Sequence, residues 1–176
     1  PKSEGTHPAI LILHGGGWHS GDKMKFRAMG LELASRGYVT MAAAYRLSEE
    51  AKFPANIHDC HAAVRYLRAN ADRYHVDPDR IGVVGGSAGG HLAGLLATTA
   101  NVQELHGEGG NPEVSSAVQA AVVMSGPMQI AMASVAERSL IKDNPKPNAI
   151  WLFGGNVEEL PEIYVLADAH EHIDGH

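Results

Sequence analysis

Short apolar runs alternate with amphipathic segments along most of the chain, and this alternation restricts the fold more than any other feature. The first run, Ala9–Leu13, is apolar throughout, as expected for a strand buried on both faces of a sheet. Further strand-like runs are found at Tyr38–Ala44, Ile81–Val84 (after a turn at Asp77–Arg80) and Val118–Met124. Helical spacing of apolar residues predicts helices over Asp22–Arg36, from Ile57 to about Tyr74, and from His91 to about Ala100. This order predicts an α/β fold, a mostly parallel sheet with helices on both faces, in a single domain over residues 1–176.

The composition excludes several classes of protein. Hydrophobic residues make up 44% of the chain and charged residues 19%, which is ordinary for a globular domain. A net charge of −6 gives no basic surface for nucleic acid, and no apolar stretch reaches the roughly 20 residues of a membrane-spanning helix. Cys60 is the only cysteine, so the chain has neither an internal disulfide nor a paired-cysteine metal motif. We therefore expect no nucleic-acid partner, no membrane span and no metal site.

Two glycine-rich segments each follow a predicted strand. His14–Gly17 comes directly after the first strand, and Gly85–Gly90 comes directly after the third. In a parallel α/β sheet, ligands bind outside the carboxyl ends of the strands. We therefore expect both segments to lie at one edge of the sheet and to form the functional site.

The second of these segments contains the pattern G-x-S-x-G, at Gly85–Gly89. Such a turn between a strand and a helix raises a serine hydroxyl above the sheet, and the helix N-terminus favours negative charge beside it. The alternative is a phosphate-binding turn, but the segment lacks the lysine of a P-loop and the G-x-G-x-x-G spacing. The pattern therefore predicts Ser87 as a nucleophile.

The first segment, His14–Gly17, fits the second requirement of acyl transfer. A tetrahedral intermediate needs N–H donors aimed at its oxyanion, and consecutive glycines can turn two backbone N–H groups toward one point. Taken alone, the segment would also suit a flexible turn that binds nothing. Its occurrence together with the serine turn, in this order, favours an oxyanion hole.

Together these segments resemble the α/β-hydrolases of the HGGG lipase and esterase class, which include hormone-sensitive-lipase-like enzymes and feruloyl-esterase-like and other short-acyl or carbohydrate esterases. The resemblance rests on His14–Trp18, Gly21–Lys23, Tyr45–Leu47, Phe53–Ala55 with Asp59, Asp77–Ile81, Gly86–Leu92 and Leu152–Gly155. It implies hydrolysis of small-molecule carboxylic esters through an acyl-serine intermediate, without a metal or organic cofactor. In that comparison Ser87 is the nucleophile, Gly16, Gly17 and Ala88 supply the oxyanion N–H groups, and His14 braces the loop.

The chain differs from this family in the strands expected at its two ends. The triad order in the fold is serine, acid, histidine, but only one clear strand follows Ser87, and Ala9–Leu13 matches the family's third strand. We therefore expect a hydrolase fold that is incomplete at both ends, with the acid and the histidine beyond His176. Uncovered sheet edges would then favour self-association.

The C-terminal tail offers an alternative source of the triad. It contains Asp168, His170, His172, Asp174 and His176. These residues fall within one short segment, whereas the acid and the histidine of the fold come from separate strand ends. A solvated, frayed terminus is the favoured interpretation of the tail.

Two other functions stay open. One is an aryl-formamidase-like amide hydrolase, since the same elbow and oxyanion hole serve both leaving groups. The other is a catalytically inactive module that binds a ligand or partner, in which Ser87 would not react with a fluorophosphonate. Among other residues, His58 and His61 fit a surface pair better than a metal site, and Cys60 fits a buried thiol.

Overall fold

The computed structural model of the protein describes residues 5–173, apart from the side chain of Ala133. Its strands are β1 (His7–Leu13), β2 (Val39–Ala43), β3 (Val76–Gly86) and β4 (Ala120–Met124). Its α-helices are α1 (Arg27–Ser35), α2 (Ala55–Ala69), α3 (Ala71–Tyr74), α4 (Ala88–Thr98), α5 (Ala133–Ser139), α6 (Asn148–Phe153) and α7 (Pro161–Leu166). Short 3₁₀ helices lie at Gln103–Leu105 and Ala169–His172.

The strands form one parallel sheet within the described chain, in the order β2-β1-β3-β4. The predicted parallel α/β architecture is therefore confirmed. The turn predicted at Asp77–Arg80 is wrong, because β3 continues through this segment. The segment Asp77–Arg80 lies where the register between β1 and β3 shifts, between the pairs His7–Val76 and Ala9–Ile81. There the Asp77 carboxylate accepts hydrogen bonds from the Asp79 N–H and from Arg80 Nε, which is turn-like bonding inside a strand.

Helices cover both faces of the sheet, as predicted. Leu11 and Leu13 of β1 are fully buried in the core that the sheet forms with α2 and α4. Ile12 points to the opposite face because successive side chains of a strand alternate. Its Cδ1 lies 3.3 Å from the position that a Cβ on Gly30 of α1 would occupy. The sheet is thus buried most deeply on its α2/α4 side.

Buried polar side chains fix the loop that follows α4. Arg65 of α2 is 2% exposed, and its guanidinium donates to the carbonyl oxygens of residues 106, 107, 109 and 110. The two ring nitrogens of His61 contact the hydroxyls of Ser116 (2.7 Å) and Thr99 (3.2 Å). His61 is therefore part of a packed polar network, and within residues 5–173 no cluster of three or more metal-ligating side chains is found.

Three further features of the fold can be compared with the sequence predictions. Cys60 is buried, and burial raises the pKa of its thiol well above the ordinary value, as expected for an inert thiol. None of the helices described between residues 5 and 173 has the length and apolar character needed to cross a bilayer. Strand β4 lies at the edge of the sheet, and its Val122 is 56% exposed.

Candidate active site

The two glycine-rich loops pack directly against each other at the carboxyl ends of β1 and β3. A Cβ placed on Gly15 would lie 2.6 Å from the Gly86 carbonyl oxygen and 3.2 Å from Ser87 Cβ. A Cβ on Gly89 would lie only 2.3 Å from the Leu13 carbonyl oxygen. Glycine is therefore required on both sides of this contact, and the predicted neighbourhood of the loops is present in the fold.

Ser87 occupies the tight turn between β3 and α4. Its backbone has φ 54° and ψ −119°, a left-handed conformation that is strained for a residue with a side chain. The turn is held by hydrogen bonds from the Ser87 N–H to the Met124 carbonyl (2.8 Å) and from the His91 N–H to the Ser87 carbonyl (3.0 Å). Ser87 is exposed, so its hydroxyl is accessible at the N-terminus of α4.

The loop after β1 has the conformation that its glycines allow. Gly16 and Gly17 have φ values of 145° and 61°, and a Cβ on Gly16 would collide with the Ser20 carbonyl at 1.9 Å. The Gly16 carbonyl accepts hydrogen bonds from the Ser20 N–H and hydroxyl, which closes the loop. In the described part of the chain, no hydrogen bond uses the N–H groups of Gly16, Gly17 or Ala88. These three N–H groups are therefore not committed to an acceptor within the described chain.

His14 supports this loop from below. His14 is 2% exposed, and its ring stacks on the Tyr45 ring with 4.4 Å between the two centroids. The Tyr45 hydroxyl donates to the His14 carbonyl oxygen at 2.7 Å. Burial lowers the pKa of His14, so the ring is neutral at neutral pH. Its packed position suits the bracing role that the resemblance implies.

Trp18 and His91 join the loop to the serine-bearing helix, a contact that the sequence analysis did not predict. The Trp18 indole N–H donates to His91 Nδ1 at 3.2 Å, and His91 Nε2–H donates to the Ala167 carbonyl at 2.7 Å. Trp18 has φ 64°, so the chain directly after Gly17 is itself strained. The buried His91 ring therefore connects three segments in its neutral form. The only sequence signal is a histidine among the apolar residues of α4.

Replacing His91 by glutamine is expected to weaken the acid sensitivity of folding. Burial lowers the pKa of His91 from 6.5 to about 4. Between these values the unfolded chain binds a proton that the folded chain excludes, so the free energy of unfolding falls as the pH falls from 6.5 to about 4. Between pH 6.5 and about 4, the free energy of unfolding should therefore fall by up to about 3 kcal/mol less in the variant than in the wild type. Urea unfolding at several pH values in this range measures the difference.

The matched control for this substitution is His170→Gln, since the His170 side chain is 55% exposed. His61, whose pKa burial lowers to about 3, retains its own contribution in both variants. A His91→Gln variant with the same pH dependence as the control would contradict the assignment of His91 as a buried neutral ring.

Within residues 5–173, no histidine or carboxylate is hydrogen-bonded to the Ser87 hydroxyl. Asp168 is fully buried and accepts backbone N–H groups of Ile130, Ala131 and His170, so the frayed terminus expected for the tail is wrong at this residue. His170 lies 3.7 Å from the Glu171 carboxylate. The His172 ring contacts the Leu166 carbonyl oxygen. Neither ring therefore has Ser87 as its partner. Asp174 and His176, the other tail candidates, lie outside the described residues.

A cavity of about 210 Å³ opens beside Ser87. Gly17, Trp18 and Ala88 line one side of it, so Trp18 both packs in the core and forms a wall of the cavity. Segments at α5 and α6 form the other side, with side chains that the sequence analysis did not identify: Ser134, Arg138, Asn144, Lys146 and Asn148. Nothing in their local sequence spacing relates them to Ser87.

Comparison with known proteins gives matches to a family model and to individual esterases. The sequence model of the BD-FAE family matches residues 1–176. Esterase LipQ of Mycobacterium tuberculosis is 36% identical over 123 residues, which cover 68% of this chain and 28% of LipQ. Carboxylesterase NlhH of the same species is 34% identical over 99 residues, covering 53% of this chain and 30% of NlhH. The chain spans about two fifths or less of the length of these curated relatives.

Solved structures share the fold. A bifunctional GH43-CE protein of Bacteroides eggerthii superposes with a TM-score of 0.86 at 31% identity, over 98% of this chain and 26% of that protein. Esterase 2 of Thermogutta terrifontis, phosphorylated by paraoxon, superposes with a TM-score of 0.75 at 26% identity, over 98% of this chain and 56% of the esterase. These similarities confirm the fold class expected from the sequence.

Proposed function

The chain belongs to the BD-FAE family, and on that premise we propose that it carries the nucleophile and the oxyanion hole of a serine carboxylic ester hydrolase. The observation that carries the proposal is the exposed Ser87 in a strained turn, with Gly15 of the neighbouring loop packed against it. Esterase names among its relatives support the same reaction class.

The reaction follows from the donors around Ser87. Its hydroxyl oxygen attacks the ester carbonyl and transfers its proton to a histidine base. The resulting oxyanion accepts hydrogen bonds from the N–H groups of Gly16, Gly17 and Ala88, and each such donor is worth roughly 3 kcal/mol of barrier in comparable sites. The tetrahedral intermediate expels the alcohol, which takes the proton, and water then hydrolyses the acyl-Ser87 ester.

We propose that the histidine base and its carboxylate partner come from outside residues 5–173. Two observations support this: within that range the Ser87 hydroxyl has no histidine partner, and the Asp168 carboxylate is fully buried and accepts three backbone N–H groups instead of a histidine ring. The complete reaction is therefore to be tested on the intact gene product that carries this chain.

Fluorophosphonate labelling tests the reactivity of Ser87 directly. We expect one adduct per protein, mapped by peptide mass spectrometry to the segment that contains Ser87. The same preparation is assayed with a short-chain p-nitrophenyl ester and with a formanilide. Faster ester cleavage supports the ester hydrolase, whereas faster formanilide cleavage would identify an amide hydrolase of the aryl-formamidase type. An unlabelled Ser87 with neither activity would instead indicate an inactive binding module.

Self-association is a further part of the proposal. β4 is a sheet edge whose Val122 and Val123 are 56% and 36% exposed, and unpaired apolar edges promote pairing between copies. We expect the isolated 176-residue chain to elute from size-exclusion chromatography as a species larger than a monomer. A monomer at all concentrations tested would contradict this.

A further inference from the structure

We propose that the cavity beside Ser87 selects esters that carry a carboxylate group, with Arg138 and Lys146 binding that carboxylate. This inference rests on the proposed function, because it assigns a substrate class to the same site. Both cations line the cavity that Ser87 also lines.

The lining of the cavity is positively charged. It contains two cations, Arg138 and Lys146, and no aspartate or glutamate. This excess is opposite in sign to the chain as a whole, whose net charge is −6. An anionic group that enters the cavity therefore meets attraction, while the rest of the surface repels it.

Neither of these two cations is neutralised by a partner within the described chain. Both side chains are exposed, and in the part of the chain that the structure describes neither forms an ion pair or a side-chain hydrogen bond. By contrast, Arg46 and Arg80 on the same protein are paired with Asp59 and Asp77. Unpaired cations that line the cavity can bind a carboxylate through charge-assisted hydrogen bonds without first breaking internal ones.

Hydrogen bonds of Asn144 connect the two segments that carry these cations. Asn144 Nδ2 donates to the Arg138 carbonyl at 2.9 Å, and Asn144 Oδ1 accepts the Lys146 N–H at 3.0 Å. One amide side chain thus connects the end of α5 to the segment before α6. The Lys146 carbonyl accepts the Asn148 N–H at 2.8 Å, and Asn148 Nδ2 would lie 2.6 Å from a Cβ on Gly17. These contacts connect the two cation-bearing segments to Gly17 of the loop after β1.

The test measures binding to a Ser87→Ala variant of the intact gene product by calorimetry, so it does not depend on turnover. The carboxylate can lie on either side of the ester, and two matched pairs distinguish them. 4-Acetoxybenzoate is compared with neutral 4-acetoxybenzamide for the alcohol side. Monophenyl glutarate is compared with phenyl valerate for the acyl side.

We expect the anionic member of one pair to bind more tightly than its neutral partner. Arg138→Gln and Lys146→Gln should each reduce that preference by up to about fivefold, and the double variant should largely remove it. Added sodium chloride should weaken the preference because the cations are exposed. Lys142→Gln is the matched control, since Lys142 is an exposed lysine outside the cavity lining, and it should change nothing.

Two results would overturn the assignment. One is equal binding of charged and neutral members in both pairs. The other is a preference for the anion that survives in the double variant. Wild-type hydrolysis of the neutral esters is measured separately, so that loss of the proposed reaction can be told apart from loss of the anion preference.

Discussion

Replacing Ser87 by alanine is expected to lower kcat/KM for a short-chain ester by about 10⁴-fold to 10⁶-fold in the intact gene product. The alanine retains the elbow but removes the only oxygen that can form the acyl intermediate. This loss corresponds to roughly 5 to 8 kcal/mol of transition-state stabilisation. Residual hydrolysis then comes from the oxyanion donors and from substrate binding alone.

Folding should survive this change, because Ser87 is exposed and its side chain has no hydrogen bond within the described chain. We expect urea unfolding of the variant to stay close to that of the wild type. Ser35→Ala, which alters an exposed serine on α1, is the matched control and should retain full activity. Hydrolysis that persists in the Ser87→Ala variant at the control rate would exclude Ser87 as the nucleophile.

Replacing Gly85 by alanine is expected to destabilise the fold by about 3 kcal/mol or more and to abolish ester hydrolysis. The added Cβ would lie 2.0 Å from the Gly89 carbonyl oxygen and 2.9 Å from the Gly90 nitrogen. These are backbone atoms of the first turn of α4, so no side-chain rotation can relieve the collision. The elbow itself must open, which displaces Ser87 from the oxyanion donors.

The control for this prediction lies in the same strand. A Cβ on Gly82 would have its nearest contact at 3.3 Å, with the Ala120 carbonyl oxygen, so Gly82→Ala should cost about 1 kcal/mol or less. Urea unfolding of both variants measures the difference. Equal losses at the two positions would mean that the effect arises from strand β3 in general rather than from the elbow.

The parts of this site that sequence reasoning predicted are those whose chemistry is local. The turn at Ser87 requires glycine two residues on either side, because a Cβ at Gly85 or Gly89 would collide with backbone atoms. The tight loop after β1 can likewise be predicted from its consecutive glycines, of which Gly16 and Gly17 have positive φ. Each requirement is imposed by atoms only a few residues away or by the adjoining strand end, so a short pattern is enough to reveal it.

The parts that were missed depend on distant partners. The Trp18–His91 bond joins residues 73 apart, and the His91–Ala167 bond joins residues 76 apart. Burial of Asp168 could not be inferred either, because its partners Ile130 and Ala131 are backbone donors with no sequence signature. The same holds for Arg138 and Lys146, which only the packing of α5 and α6 brings beside Ser87.

The packing of the loop after β1 against the Ser87 turn also makes this part of the fold depend on contacts between segments far apart in the chain. Strand β1 pairs with β2 on one side, but Gly15 becomes ordered against Gly86 and Ser87 only after β3 has been added. Contacts between segments so far apart in sequence carry a high loop-closure cost and slow folding. During synthesis on the ribosome we therefore expect this loop to gain its final contacts only after the chain has been made through Gly89. Until then the apolar strand β1 lacks its partner β3, and unpaired apolar strands of incomplete chains are prone to aggregation.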